Sequence, residues 1–469
     1  MPPILALLLW VVLLVALIRF DPAKTRTSPP LWVPVIWLFI VGSRLPSQWL
    51  GGDQTMSARA MEDGNPLDRI IFLALIILAL GVLMARSFRW DIFLQRNLAL
   101  AALMGFALVS ATWSDFPFIV FKRWIRDLGT YLMVLIVVSD ANPLEAVRAV
   151  LRRLSYLLVP LSIVLNKYFP AMSKQYDTWT GVGSYIGATT SKNMLGLLCL
   201  VSGLFFFWDI LERWSERKQY RAKRIILLDT VFFVMTVWLL VTSQSTTSSI
   251  CLLLGCLVIA SAHNRKFKRH PAILKALIPA AFVLYVVLDF VFGMSGSMAQ
   301  AVGKDPTLHD RTKIWAFLLS MHTNVLVGTG YQAFWLGPRL QSFWENAGLG
   351  HINEAHNGYL EVYLEMGLIG CGLLAVFLIA SYRGICRRLG NSPSLAILGL
   401  AVWLALVFYN MSEAAFEGGL LYTVFLMAAT VPPERARIRV TNAAGFGKPA
   451  IAKRLPKPHL ETSDVRTAN

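Results

Sequence analysis

The residues best suited to chemistry lie in four separate stretches. His309-Asp310-Arg311-Thr312-Lys313-Ile314-Trp315 carries a guanidinium that is permanently charged and forked to match phosphate oxygens. His356-Asn357-Gly358-Tyr359-Leu360 carries an imidazole able to take a proton near neutral pH. An arginine and a histidine flanking one cavity suit the transfer of a group away from a phosphate leaving group. Glu354, Glu361 and Glu365 stand close enough in sequence to orient His356, although Glu361 and Glu365 at i, i+4 equally support a helix start. Lys192 and Asn193, within Thr189–Gly196, precede an apolar run, where a helix N-terminus already favours an anion. The bland reading is an interfacial lysine that snorkels to water. The uncharged run Ser243-Gln244-Ser245-Thr246-Thr247-Ser248-Ser249 is either a polar floor for a hydroxyl-rich ligand, led by Gln244 and Ser245, or turn and capping chemistry.

The elements that must position these residues are membrane helices. Apolar residues make up 56% of 469 positions, charged residues 15%, and the mean hydropathy is +0.57, which excludes an ordinary soluble domain. Apolar runs near 3–18, 31–50, 70–85, 97–113, 128–139, 154–169, 193–211, 225–243, 250–262, 272–292, 358–382, 394–410 and 420–432 predict an all-α polytopic protein with about 11–13 transmembrane helices. The shortest runs, 128–139 and 420–432, read equally as re-entrant pieces. The first run lacks the basic flank and cleavage site of a signal peptide and reads as a span.

Charge placement orients the chain. Of 44 Lys and Arg residues, 30 fall in alternate connections and in the tail after 432, which predicts that those segments face the cytoplasm, the N-terminus faces out and the C-terminus in. Spread over short loops, a net charge of +17 does not make a nucleic-acid groove. The five cysteines show no CxxC or Cys/His ligand spacing, so neither a disulfide framework nor a metal site is expected. Serine-nucleophile, Walker and GxGxxG patterns are missing too.

Residues 1–431 thus read as the membrane domain, with 293–357 as one large outer loop and 432–469 as a basic, disordered cytoplasmic tail. Trp315, Phe334, Trp335, Phe343 and Trp344 give the loop enough aromatic area for a small core of its own. A second outer stretch, 116–127, breaks the charge rule with Lys122, Arg123 and Arg126. Its helical spacing of Phe118, Phe121, Trp124 and Ile125 predicts an amphipathic interfacial helix, whose cations either snorkel or bind an anionic headgroup or diphosphate.

The order S-K-N-M-L-G, S-Q-S-T-T-S, R-x-x-x-W, V-G-T-G-Y-x-x-F and H-N-G-Y-L-E-x-x-x-E-x-G-x-x-G resembles the O-antigen ligase and O-antigen polymerase superfamily. W-S-D-F-P at Trp113 and the S-Q-S-T-T-S hairpin most resemble its exopolysaccharide-polymerisation, ExoQ-like branch. The resemblance implies a C-type glycosyltransferase fold in the bacterial inner membrane, independent of metal and of any cofactor. It implies as donor an undecaprenyl-diphosphate-linked glycan on the periplasmic face, and as partners a chain-length regulator and a flippase. Carried onto this chain, it makes Arg311 and His356 the catalytic pair, with Arg311 on the diphosphate and His356 acting on the acceptor, and gives Lys192 a second phosphate contact. Arg123, Arg126, Asn193, Gln244, Ser245 and Asn357 complete the candidate substrate-binding set. One departure is Asn324-Val325, where the family commonly has a proline before its Gly-x-Gly turn. Transfer of finished glycan to a lipid A core or a protein, and export of polysaccharide without bond formation, are the rival readings; against export, the spans are mostly clean, with Asp229 the main internal acid.

Overall fold

The computed structural model describes residues 2–19, 27–51, 64–176, 181, 183–265, 270–292, 309–348 and 351–431. The tail expected over 432–469 and the first part of the outer loop, 293–308, lie outside the described residues. The principal helices are α1 (Pro3–Arg19), α2 (Trp32–Val41), α3 (Pro66–Ala85), α4 (Trp90–Arg96), α5 (Leu98–Val109), α6 (Pro117–Val138), α7 (Pro143–Tyr168), α8 (Lys192–Arg213), α9 (Tyr220–Ser243), α10 (Thr246–His263), α11 (Pro271–Phe292), α12 (His309–Ser320), α13 (Gly337–Asn346), α14 (Gly358–Arg388), α15 (Pro393–Tyr409) and α16 (Leu420–Ala429). A two-stranded antiparallel ribbon, Lys174–Tyr176 with Gly183–Tyr185, interrupts the helices between α7 and α8.

Each of the thirteen apolar runs contains helix, although the 31–50 run is interrupted after Val41. Among the described residues six helices are long and apolar enough to cross a bilayer, α3, α7, α8, α9, α10 and α14; the α4–α5 pair, bent by 97°, makes a seventh if it is one broken span. Shorter apolar helices, α1, α2, α15 and α16, pack among them. The protein is an all-α polytopic membrane protein. Its lipid-facing surface is legible on α3, where Ile70, Leu73 and Ile77 are exposed while Phe72, Ile76 and Ala79 are buried.

α6 departs from expectation. The amphipathic stretch 116–127 and the apolar run 128–139 form one continuous 22-residue helix rather than an interfacial helix followed by a span. Its basic end is held by protein: Val120 packs with Ala333 and Leu336 of the segment between α11 and α14. That segment has its own core, in which Ile314, Leu318, Phe334, Trp335, Leu340 and Phe343 bury against Leu364 of α14.

α7, α8 and α9 are tied by buried ions. Arg152, Asp209 and Asp229 are all fully buried. Arg152 contacts Asp229 at 3.3 Å and pairs with Asp209, which also takes Arg148 Nε at 2.9 Å and Arg213 Nε at 2.8 Å. Asp229 therefore serves helix packing, since charges in hydrocarbon persist only when paired.

α14 is broken at Gly367, whose φ is +62°. The turn Asn324–Gly330 inserts at this break: Leu368 N and Ile369 N donate to Val325 O and Leu326 O, and Thr329 N and Gly330 N donate to Leu364 O and Glu365 O. The backbones touch so closely that a Cβ on Gly328 would lie 2.3 Å from the Glu365 carbonyl carbon. Asn324 does the work expected of a proline, its side-chain oxygen accepting from Leu326 N and Val327 N and its carbonyl from Gly328 N.

Candidate functional site

Arg311 and His356 come together through Glu413, a residue the sequence did not single out. Arg311 Nη2 lies 2.9 Å from Glu413 Oε1, and His356 Nδ1 lies 3.4 Å from Glu413 Oε2 and 2.9 Å from Glu354 Oε1. Local structure enforces the meeting. Trp315 Nε1 donates to Ala355 O at 2.8 Å, which fixes α12 beside the His356 turn. Gly358 N donates to both Asn410 O and Glu413 O at 2.9 Å, which clamps the turn after α15 onto the start of α14. Only a glycine fits there, since a Cβ on Gly358 would sit 2.0 Å from Asn410 Oδ1. His356 itself takes φ +50°, an unusual conformation for a residue with a Cβ and one that surrounding structure must impose.

Burial alone would push the His356 imidazole down, but the Glu354 and Glu413 carboxylates override it and raise the pKa to about 10. Glu354 is correspondingly lowered: its burial opposes the shift, and His356 and Arg311 supply it. The two carboxylates thus favour the imidazolium form of His356. Glu354, His356 and Glu413 offer one ligand atom each within 4.8 Å of one another, the donor set of a divalent-cation site. Here the imidazolium and Arg311 already balance the two carboxylates.

A cavity of about 560 Å³ lies alongside. Its lining brings together the cations Arg69, Lys122, Arg123 and Arg126, the acids Glu354, Glu361, Glu365 and Glu417, and the apolar Phe72, Leu73 and Ile76 of α3. Arg123 and Arg126 are one turn apart on α6. Arg123 donates to Gln332 O, and Arg126 Nη2 to Gln332 Oε1 at 3.0 Å. Gln332 Nε2 and Tyr331 Oη each donate to Asp127 at 2.6 Å, so the residues after the glycine turn are seated on α6. Arg126 keeps 47% of its side chain accessible, which leaves it open to a ligand. Glu417 belongs to the same turn as Glu413; burial and Asp127 push it up, Arg126 and Arg123 oppose them, and it comes to about 7.

Arg311, His356 and the remaining sequence candidates are not among the residues lining this cavity. Lys192 and Asn193 begin α8, capped by Ser191 Oγ, which accepts from Met194 N at 3.2 Å. Ser245 is buried against Gly196, whose Cβ would lie 2.4 Å from it, and hydrogen-bonds Ser248 at 2.9 Å. Gln244 is the left-handed cap of α9 and is exposed. Ser243 and Ser249 return their hydroxyls to backbone carbonyls, as turn and capping chemistry does. The Asn357 side-chain oxygen accepts from Tyr359 N and Leu360 N as the α14 cap. These residues nevertheless converge on the turn that bears Glu413, through Thr247 Oγ1 to Ser412 Oγ at 2.8 Å and Tyr409 Oη to Asn193 O at 3.5 Å. The missed residues had one signal: Met411-Ser412-Glu413-Ala414-Ala415-Phe416-Glu417-Gly418-Gly419 puts two acids four apart in a break between apolar runs.

Residues 230–375 match the O-antigen ligase family. That region holds the α9–α10 hairpin, Arg311, the glycine turn, His356 and the α14 break, but not α6 or the Glu413–Glu417 turn. The chain is also 26% identical over 362 residues to the exopolysaccharide production protein ExoQ of Rhizobium meliloti (strain 1021), a match covering 73% of this chain and 79% of that protein. Both matches agree with the superfamily and the ExoQ-like branch that the motifs resemble.

Proposed function

We propose, on the premise of an O-antigen ligase-type region within an ExoQ-like membrane protein, that the chain polymerises undecaprenyl-diphosphate-linked repeat units into exopolysaccharide or O-antigen. The observation that carries this reading is one cavity lined by apolar residues of α3, by cations and by carboxylates. A lipid-linked sugar diphosphate has an apolar, an anionic and a hydroxyl-rich part to match these three kinds of residue. Its isoprenoid lies along α3, where Leu73 meets lipid; its diphosphate sits on Arg123 and Arg126; its sugar reaches the carboxylates. The attacking hydroxyl displaces the diphosphate in line, so the anomeric carbon inverts. Guanidinium groups offset the charge that develops on the leaving oxygen, a contribution of about 3 kcal/mol for a preorganised clamp of this kind. Arg311 and the His356 imidazolium, held by Glu413, orient the acceptor glycan at the neighbouring edge. In this reading the protein sits in the bacterial inner membrane with the cavity on the periplasmic side, where a flippase delivers donor and a chain-length regulator sets product size.

The family matched over 230–375 favours a second reading, in which finished glycan is passed to a lipid A core or a protein acceptor. Both readings place the donor in the same cavity, and the products distinguish them. In a deletion strain carrying Arg126→Ala, the polymerase reading expects single repeat units on lipid and little long polymer. Long polymer that stays on its lipid carrier identifies a ligase. Full-length polymer in normal amount removes the cavity from the reaction.

A further inference from the structure

An in-line displacement at the anomeric carbon needs a base for the acceptor hydroxyl, and the carboxylates beside His356 favour its cationic form. We propose that Glu417, hydrogen-bonded to Glu365 in the cavity lining, takes the proton from the attacking sugar hydroxyl. This rests on the donor-site reading above and adds a catalytic residue to it. The acceptor O–H bond breaks and its proton passes to a Glu417 oxygen. The freed oxygen pair forms the bond to the anomeric carbon, the carbon–oxygen bond to the diphosphate breaks, and its electron pair leaves on the diphosphate beside Arg123 and Arg126. The proton then leaves Glu417 through the cavity.

Apart from Glu365, the other acids around the cavity are committed to donors. Glu361 accepts from Trp335 Nε1 at 2.9 Å and from Ala355 N. Asp127 accepts from Tyr331 and Gln332, and Glu354 and Glu413 are paired with His356 and Arg311. Glu417 differs because its hydrogen-bond partner is a second carboxyl. Two carboxyls joined in this way share one proton, carry one charge and can accept a second proton. The position is fixed: a Cβ on the next residue, Gly418, would lie 2.5 Å from Asp127 Oδ1, so the turn rests directly on α6.

The groups facing Glu417 are Asp127, Arg123 and Arg126 from α6, Glu365 and Glu361 from α14, and Tyr331 after the glycine turn. Burial and Asp127 raise it to about 7 against the two arginines, and a base with that affinity works best near neutral pH.

The test uses purified full-length protein in proteoliposomes. Turnover is measured on the lipid-linked repeat units that accumulate in membranes of the deletion strain, and binding is measured with undecaprenyl diphosphate. Glu417→Gln is expected to slow turnover about a hundredfold or more with undecaprenyl diphosphate binding unchanged. Glu417→Asp, which keeps a carboxylate, is expected to recover part of the rate and the fall in rate below about pH 7 that Glu417→Gln abolishes. Arg126→Ala separates the two claims. If it weakens undecaprenyl diphosphate binding while Glu417→Gln turns over as fast as wild type, the base assignment is wrong and the donor site stands. If Arg126→Ala binds as wild type, the donor-site reading fails and the inference with it.

Discussion

Replacing Gly328 by alanine tests whether the glycine turn and the broken helix form one unit. Gly328 has φ +64°, and its Cβ would lie 2.3, 2.4 and 2.5 Å from the carbon and oxygen of Glu365 and the nitrogen of Met366. All three are backbone atoms, so no side-chain rotation relieves the overlap. Holding an L-residue in the left-handed region costs about 1 kcal/mol. Moving the turn away loosens the Thr329 N to Leu364 O and Gly330 N to Glu365 O bonds, at 3.1 and 2.8 Å, each worth about 1 kcal/mol. The total is about 3 kcal/mol, a large share of the roughly 5–15 kcal/mol that holds a typical domain folded. The displaced carbonyl also belongs to Glu365, so activity should fall with stability. Thermal unfolding in detergent, followed by tryptophan fluorescence, should show a melting temperature several degrees lower, and cells should make little polymer. Gly81→Ala is the control: it lies in α3 with nothing within 4 Å of its Cβ, and alanine suits a helix better than glycine. A Gly328→Ala protein that melts and polymerises as wild type would show that the insertion is not close-packed.

His356 makes stability depend on pH. Its folded pKa is raised from 6.5 to about 10, so the stabilisation is fully present below about pH 6.5 and is lost as pH rises through 10. The melting temperature should decline between pH 7 and 10, and His356→Gln should flatten that decline; an unchanged slope would mean that Glu354 and Glu413 do not hold the proton. In the helix core, Arg152→Ala strands Asp229 in a fully buried site, while Asp209 keeps Arg148 and Arg213, and should cost roughly 3–5 kcal/mol. Membrane immunoblots should show little accumulated protein, and normal levels of folded Arg152→Ala would show that Asp229 does not depend on Arg152.

Composition and hydropathy made the helical architecture legible, because each apolar run needs its backbone hydrogen bonds satisfied internally and a helix does so locally. Features set by long-range packing were not legible. The start of α6 looks interfacial because Arg123 and Arg126 are locally indistinguishable from snorkelling cations; Gln332, some 200 positions away, turns them toward a cavity. The break in α14 is hidden inside Leu364-Glu365-Met366-Gly367-Leu368, where a glycine in an apolar run gives no sign of the turn inserted beside it. Arg311 and His356 stood out by their chemistry. Glu413, which joins them, sits in a short connection whose meaning depends on Gly358 and Asn410 meeting across the fold. Ser243, Ser249 and Asn357 illustrate the converse: their types suggest ligand contacts, while their hydrogen bonds go to nearby backbone.

The central claim is that this protein joins lipid-linked repeat units at a site containing Arg311 and His356. Glycan analysis of a deletion strain complemented with wild type, Arg311→Ala or His356→Ala, each matched for membrane level, addresses it most directly. The account predicts long polymer from wild type, and from both variants its loss, with single lipid-linked repeat units accumulating. Unchanged polymer length and amount in the two variants would contradict it.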